Sequence, residues 1–180
     1  MRSIPSLESA IAFVLVASLS GCVTGTWDVT DDPALPNTGW IKGQIYVLQR
    51  SALIYKPDPI ADFCLKFPEF WDKRVVPKSM DEFRKRRKEF SEDIVGVLEG
   101  GSQVRLKAIL LDKNPENGDD LCPVGQVTNG EFRGKAVDLT FVSKFDNSSG
   151  DIEYRTIGKS SAASIWRRDP KVFIPVVPAQ

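Results

Sequence analysis

The sequence predicts a mainly β domain of the α+β type: a small β-barrel carrying one inserted helix at residues 79–93, with a β-sandwich as the alternative architecture. Three observations predict it. The runs "QVRLKAILL" and "KAVDLTFVSK" alternate apolar and polar residues with period two, the mark of half-buried strands. Turn-forming clusters ("LEGGS", "NPENGDD", "TNGEFRG", "DNSSGD") fall between such runs. A single capping box, Ser79-Met80-Asp81-Glu82, opens the one stretch with helical spacing.

Taken in chain order, "WIKGQIYVLQRSALIY" carries Ile41, Ile45, Val47 and Ile54 among β-favouring residues. The polar gap at Gln49-Arg50-Ser51 divides it into two short strands. In the helix, Met80, Phe83, Phe90 and Ile94 supply the buried face, and Gly96 ends the pattern before a strand through Val97 and Leu98. The next strand is expected to bury Val104, Leu106, Ala108 and Leu110, with Arg105 and Lys107 outward. The one after it is expected to bury Val137, Leu139 and Phe141, with Asp138 and Thr140 outward. "DIEYRTIG" and "KVFIPVV" read as further strands, the last confined by Pro175 to an edge or terminus.

At the amino terminus, Ala10 to Ala17 form an unbroken apolar run, too short to cross a bilayer, which takes roughly 20 residues. Arg2 before it and small residues after it are the parts of a secretory signal over residues 1–21. The tetrapeptide Leu19-Ser20-Gly21-Cys22 resembles the bacterial lipobox. That resemblance implies lipidation of Cys22 by a diacylglyceryl group, cleavage before it and acylation (palmitate) of the new amino terminus. Val23 stands where an Asp resembles an inner-membrane retention signal, so the resemblance implies an outer-membrane lipoprotein facing the periplasm. Residues 22–39, rich in Asp, Thr, Pro and Gly, read as a flexible tether to one domain at 40–180. Trp27 within it is placed either at the lipid interface or against the body.

With Cys22 assigned to lipid, Cys64 and Cys122 remain, an even number for an oxidising compartment. A disulfide between them is the first expectation and a pair of free core thiols the second. There is no histidine, so Ser-His-Asp and Cys-His catalysis and histidine metal sites are excluded, and no metal or cofactor is expected. Ser-x-x-Lys and the GxxxxGK phosphate loop are also absent. The 24 basic and 24 acidic residues balance, which argues against a nucleic-acid partner. Asp112, Asn114 and Glu116 alternate as in a calcium loop, but the glycine at 118 is one place late and no closing Glu follows. A solvated turn accounts for them better.

The string "DIVGVLEGGSQVRLKAIL" resembles the strand, turn and strand of bacterial SH3-like barrels, with Leu98, Gly101, Ser102, Val104, Leu106 and Ile109 in structural positions. It implies an SH3-like barrel and carries no ligand site. "RKRRK", Arg84 to Lys88, is either a site for an anionic partner or a solvated helix face in which Glu82 pairs with Arg86. Arg84 and Arg87 lack an acid four residues away and are the anionic-ligand candidates. The aromatics Phe63, Phe67, Phe70 and Trp71 around Cys64 read as core that docks the insertion onto the barrel rather than as a sugar-stacking surface.

Two functions follow. The first is a non-catalytic envelope lipoprotein, held to the membrane by its lipid, that binds an envelope protein or peptidoglycan as a scaffold or accessory. The second is a carboxylate-dependent glycan hydrolase, because that chemistry needs only an Asp or Glu pair.

Overall fold

The computed structural model describes residues 25–33, 35, 37–56, 58–67, 75–114, 118–145, 153–156 and 159–177. The lipobox, Phe70, Trp71 and Glu116 lie outside them. The chain is mainly β. Its strands are β1 (Gly25–Asp28), β2 (Ile45–Leu48), β3 (Ala52–Tyr55), β4 (Phe63–Lys66), β5 (Ile94–Leu98), β6 (Gln103–Asn114) and β7 (Gly118–Val127). They continue with β8 (Ala136–Asp138), β9 (Lys144–Phe145), β10 (Glu153–Thr156), β11 (Lys159–Arg167) and β12 (Phe173–Pro175). The main path runs β12-β2-β6-β7-β8-β4-β3-β5, with β1 added to β6 and β11 added to β7. Most pairs are antiparallel, but β4 with β8 and β11 with β7 are parallel.

The path curls because its long strands change face partway. In β6 and β7 the register shifts between Leu106 and Ala108. Such a bulge sends every later side chain to the opposite face. Val104 and Leu106 are buried, and then Ile109 and Leu111 take over the core. The expected inward phase of Ala108 and Leu110 therefore ends at Lys107, and both are only partly buried. Opposite the bulge sits Gly125, where an added Cβ would stand 2.2 Å from Val104 Cγ1.

The principal core gathers Tyr46, Leu48, Ile54, Leu65, Leu106, Leu111, Leu121, Val137, Ile165 and Phe173. Trp40 closes one end, with its ring centroid 5.0 Å from Tyr46 and 5.1 Å from Phe173 in edge-on geometry. Phe63 and Phe67 pack against the same core, as expected of the aromatic cluster.

The helix α1 (Met80–Lys85) begins where the capping box predicted: the Glu82 N–H donates to Ser79 Oγ at 3.2 Å. The returning Glu82 carboxylate takes the N–H of Lys78 rather than that of Ser79. The helix is shorter than the 79–93 expected. A 3-10 turn follows at Arg87–Glu89, and Ile94 is already the first residue of β5. Phe83, Phe90 and Ile94 nevertheless share a second apolar cluster with Leu53 and Val97, and Met80 packs against it. Gly96 does not break the chain; it lies inside β5, where a Cβ would meet Phe132 Cζ at 2.7 Å and Met80 Sδ at 3.0 Å. Close approach, not a turn, is the reason for glycine there.

Two further expectations are corrected. Residues 22–39 were expected as a free tether, but Gly25–Asp28 form β1, paired with Leu110–Lys113 of β6. β2 covers only Gln103–Arg105 of that 12-residue strand, leaving an open edge that β1 fills. Val29 is buried and its N–H donates to Ile109 O, so Gly25–Val29 belong to the folded body. Trp27 rests partly buried on the core, with the Lys113 ammonium 5.6 Å from its ring centroid. The run "KAVDLTFVSK", 135–144, was expected as one strand, but β8 stops at Asp138 and the chain turns into a 3-10 helix at Thr140–Val142. Asp138 and Thr140, expected outward, are 4% and 5% exposed, and Phe141, expected inward, is 52% exposed.

Candidate functional site

The bulge in β6 creates the site. It turns Asp112 away from the core phase of Ile109 and Leu111, onto the face it shares with Asp120 and Cys122 of β7. On the neighbouring strands Asp138 of β8 and Cys64 of β4 stand side by side in register. The β3–β4 connection brings Asp58, Pro59 and Ile60 over this face, and the 3-10 turn brings Thr140 and Phe141. Together they enclose a cavity of about 450 Å³ whose wall includes five aspartates (58, 93, 112, 120 and 138), two lysines (56 and 66) and both cysteines. Tyr55 completes an aromatic side.

Asp138 is the deepest acid. Its Oδ1 accepts the Thr140 N–H at 2.9 Å and the Thr140 hydroxyl at 2.6 Å, which ends the strand and starts the 3-10 turn. Burial pushes its carboxyl up to about 6, against the lowering effect of the Thr140 hydrogen bonds. Asp58 Oδ1 accepts from the N–H groups of Ile60 and Ala61, both at 2.9 Å, and so shapes its own loop. Asp112 faces Asp120 directly across the ladder. Burial first, then the charges of Asp120 and Asp119, raise its carboxyl above the usual range. Asp120 accepts from the indole N–H of Trp166 at 3.2 Å. At the rim the Lys66 ammonium lies 4.4 Å from the Phe141 ring centroid and 5.1 Å from that of Tyr55.

Cys64 and Cys122 are both buried free thiols, so the disulfide expected between them is absent from this structure. β8 lies between their strands. Two ladder steps put their Cα atoms about 10 Å apart, beyond the roughly 7 Å that a disulfide bridges. Burial pushes the Cys122 thiol up to about 12 and the Cys64 thiol higher. Neither is a nucleophile at neutral pH.

Asp58, Cys64 and Asp138 each offer one donor atom within 4.8 Å of the others, the one grouping of this kind among the described residues. One protonated thiol and two carboxylates without a histidine fit zinc poorly. Of the alternating oxygens considered for calcium, Asp112 belongs to the cavity wall and pairs across the ladder with Asp120, and Glu116 lies outside the described residues.

The anionic-ligand candidates lie elsewhere. Arg84 makes a two-pronged pair with Glu131 at 2.8 and 2.9 Å, and reaches Asp81 at 2.9 Å. Arg87 donates to the carbonyls of Phe90 and Ser91 at 3.1 Å, closing the helix end. Arg86 pairs with Glu82, as the solvated-face reading expected, and also with Glu89. Period two places Asp138 on the solvent face. Its one signal was an acid interrupting a strongly apolar strand.

Comparison of the chain with protein-family models, curated proteins and solved structures finds no match. Among the described residues, no helix is long and apolar enough to cross a membrane.

Proposed function

We propose that this chain is a bacterial envelope lipoprotein, anchored through Cys22 in the outer membrane on its periplasmic side, whose β body is a non-catalytic binding module. Its ligand is a cationic group, such as the ammonium of a peptide, carried by an envelope protein or by peptidoglycan. The observation that supports this reading is the cavity lined by five aspartates against two lysines. Carboxylates outnumbering ammoniums in a partly dehydrated concavity attract a cation and repel an anion. We further read the curled sheet as an SH3-like barrel, with β5 and β6 joined by the tight turn at Glu99–Ser102, where the Ser102 N–H donates to Glu99 O.

The test is sedimentation of the lipidated protein with purified sacculi, alongside a crosslinked pull-down from envelopes. Wild type is expected to sediment or to capture a partner, and the triple variant Asp58→Asn, Asp112→Asn, Asp120→Asn to do neither. Wild-type protein that neither sediments nor captures anything would remove the proposal. Labelling with radioactive palmitate, wild type against Cys22→Ala, tests the anchor by itself.

One observation favours a second reading, a carboxylate-dependent glycan hydrolase. Carboxylate oxygens of Asp58 and Asp138 lie within 4.8 Å of each other. Retaining glycosidases space their two carboxyl groups by roughly 5 Å and keep one protonated near neutrality. Asp138, pushed up to about 6, would be the acid and Asp58 the nucleophile. Zymography on peptidoglycan decides between the two: clearing by wild type that is lost in Asp138→Asn and in Asp58→Asn makes the protein an enzyme.

A further inference from the structure

The strand β1 changes what a lipid on Cys22 would do. Residues 22–39, taken as a coil, would let the body wander from the membrane. Instead the chain joins the sheet at Gly25, opposite Lys113. Only Val23 and Thr24 separate Cys22 from that point. Three extended Cα steps span at most about 11 Å.

From this we infer that the anchor is a short leash holding the Gly25–Lys113 corner of the body at the lipid headgroups, with the bilayer surface as that corner's partner. This rests on the reading of Cys22 as lipid-bearing. Because β1 runs antiparallel to β6, β6 runs from the anchor toward Gln103, while the β10–β11 hairpin passes the corner on the other side. The ten steps from Lys113 to Gln103 cover about 34 Å, which sets a near end and a far end of β6. Trp27 under the Lys113 ammonium suits the near end, since tryptophan and lysine are favoured at the boundary between headgroups and water. Thr26 pairs with Asp112, and Asp112 with Asp120, so the acidic wall of the cavity belongs to the near end too. A ligand of the cavity is thereby met at the membrane surface, not in the open periplasm.

The test uses the full lipidated protein in phosphatidylethanolamine vesicles. A fluorophore is attached at Thr26→Cys, at the near end, or at Arg133→Cys, in the exposed turn beyond β7. Cys64 and Cys122 are buried and stay unlabelled. Lipids carrying a headgroup nitroxide are expected to quench the Thr26 position several-fold more than the Arg133 position. Inserting about 20 Gly/Ser residues between Thr24 and Gly25, a coil of about 25 Å, is expected to abolish most of that difference. Equal quenching at both positions, in protein whose Cys22 acylation is established by mass spectrometry, overturns the inference and leaves the lipoprotein reading intact. A Cys22 without acyl chains removes the lipoprotein reading, and this inference with it.

Discussion

Asp112 on β6 stands directly opposite Asp120 on β7, two like charges at matched positions of one ladder and on one face of the sheet. Opposed carboxylates destabilise a sheet. Two features reduce the repulsion without removing it: the Trp166 indole N–H donates to Asp120, and Asp112 holds its proton to a higher pH than an ordinary aspartate. A pair kept against its own repulsion is what the proposed cation-binding wall would require.

Replacing Asp120 with Asn keeps the acceptor for Trp166 and removes one charge. Asp120→Asn is expected to raise stability by about 0.5–1 kcal/mol at pH 7, read as a higher urea midpoint with an unchanged slope. It should also bring Asp112 back toward the normal carboxylate range, visible by NMR titration. A loss of stability would mean that the pair is held by something other than Coulomb repulsion relieved by the ladder.

Asp138 makes stability depend on pH in the unusual direction. Its folded value near 6 lies above the unfolded 3.8. The folded state therefore binds the proton more tightly, and the stability so contributed is complete below about pH 4 and lost as pH rises through 6. Asp138→Asn retains the acceptor for Thr140 and cannot ionise. Its stability relative to wild type is expected to increase by on the order of 2–3 kcal/mol between pH 4 and pH 7.5. Urea unfolding at the two pH values measures it, and a difference independent of pH would show that the carboxyl titrates normally.

Gly125→Ala tests the bulge. Its Cβ would enter the space of Val104, with Leu139 Cδ1 at 3.2 Å on the other side. Overpacking at so confined a position is expected to cost about 1–3 kcal/mol. The double variant with Val104→Ala should recover part of the loss in a thermal melt.

The two thiols are expected to react with a disulfide reagent only when the protein unfolds. Both are buried and held protonated, with Cys122 at about 12. Two thiols appearing together with the unfolding transition fit this structure. A count of zero in denaturant would establish the disulfide that the sequence suggested.

Arg84 and Arg87 are expected to matter little. Arg84→Ala breaks an exposed pair and should cost no more than about 1 kcal/mol. Binding of the folded domain to anionic vesicles should be the same for wild type and for Arg84→Ala, Arg87→Ala.

The strands were legible where period two records burial on one face, as in Ile45–Leu48 and the first half of β6, and where β-favouring residues cluster, as in Ala52–Tyr55, which is buried on both faces. The helix start was legible because Ser79 and Glu82 carry the cap in their own side chains. What was hidden depends on partners distant in sequence. β1 is polar and short, and becomes a strand only because β6 offers it an open edge. The bulge at Lys107 has no local signature, yet it decides which face Asp112 occupies. The cavity joins Asp58, Cys64, Asp112, Asp120 and Asp138 from four separate stretches of chain, and no spacing rule links them. Asp138 showed the limit most clearly: alternation counts faces and assumes that one of them is wet, whereas here the second face is roofed by the β3–β4 loop.

β5 is the last strand of the main path, and the N–H of Val97 on it is met at 3.2 Å by the Met80 sulfur. A soft thioether occupies the position where a neighbouring molecule's carbonyl would otherwise dock. Between crowded molecules, that blocked contact disfavours ribbon-like polymers. Swapping the methionine for a small residue would bare a template for chain-to-chain growth.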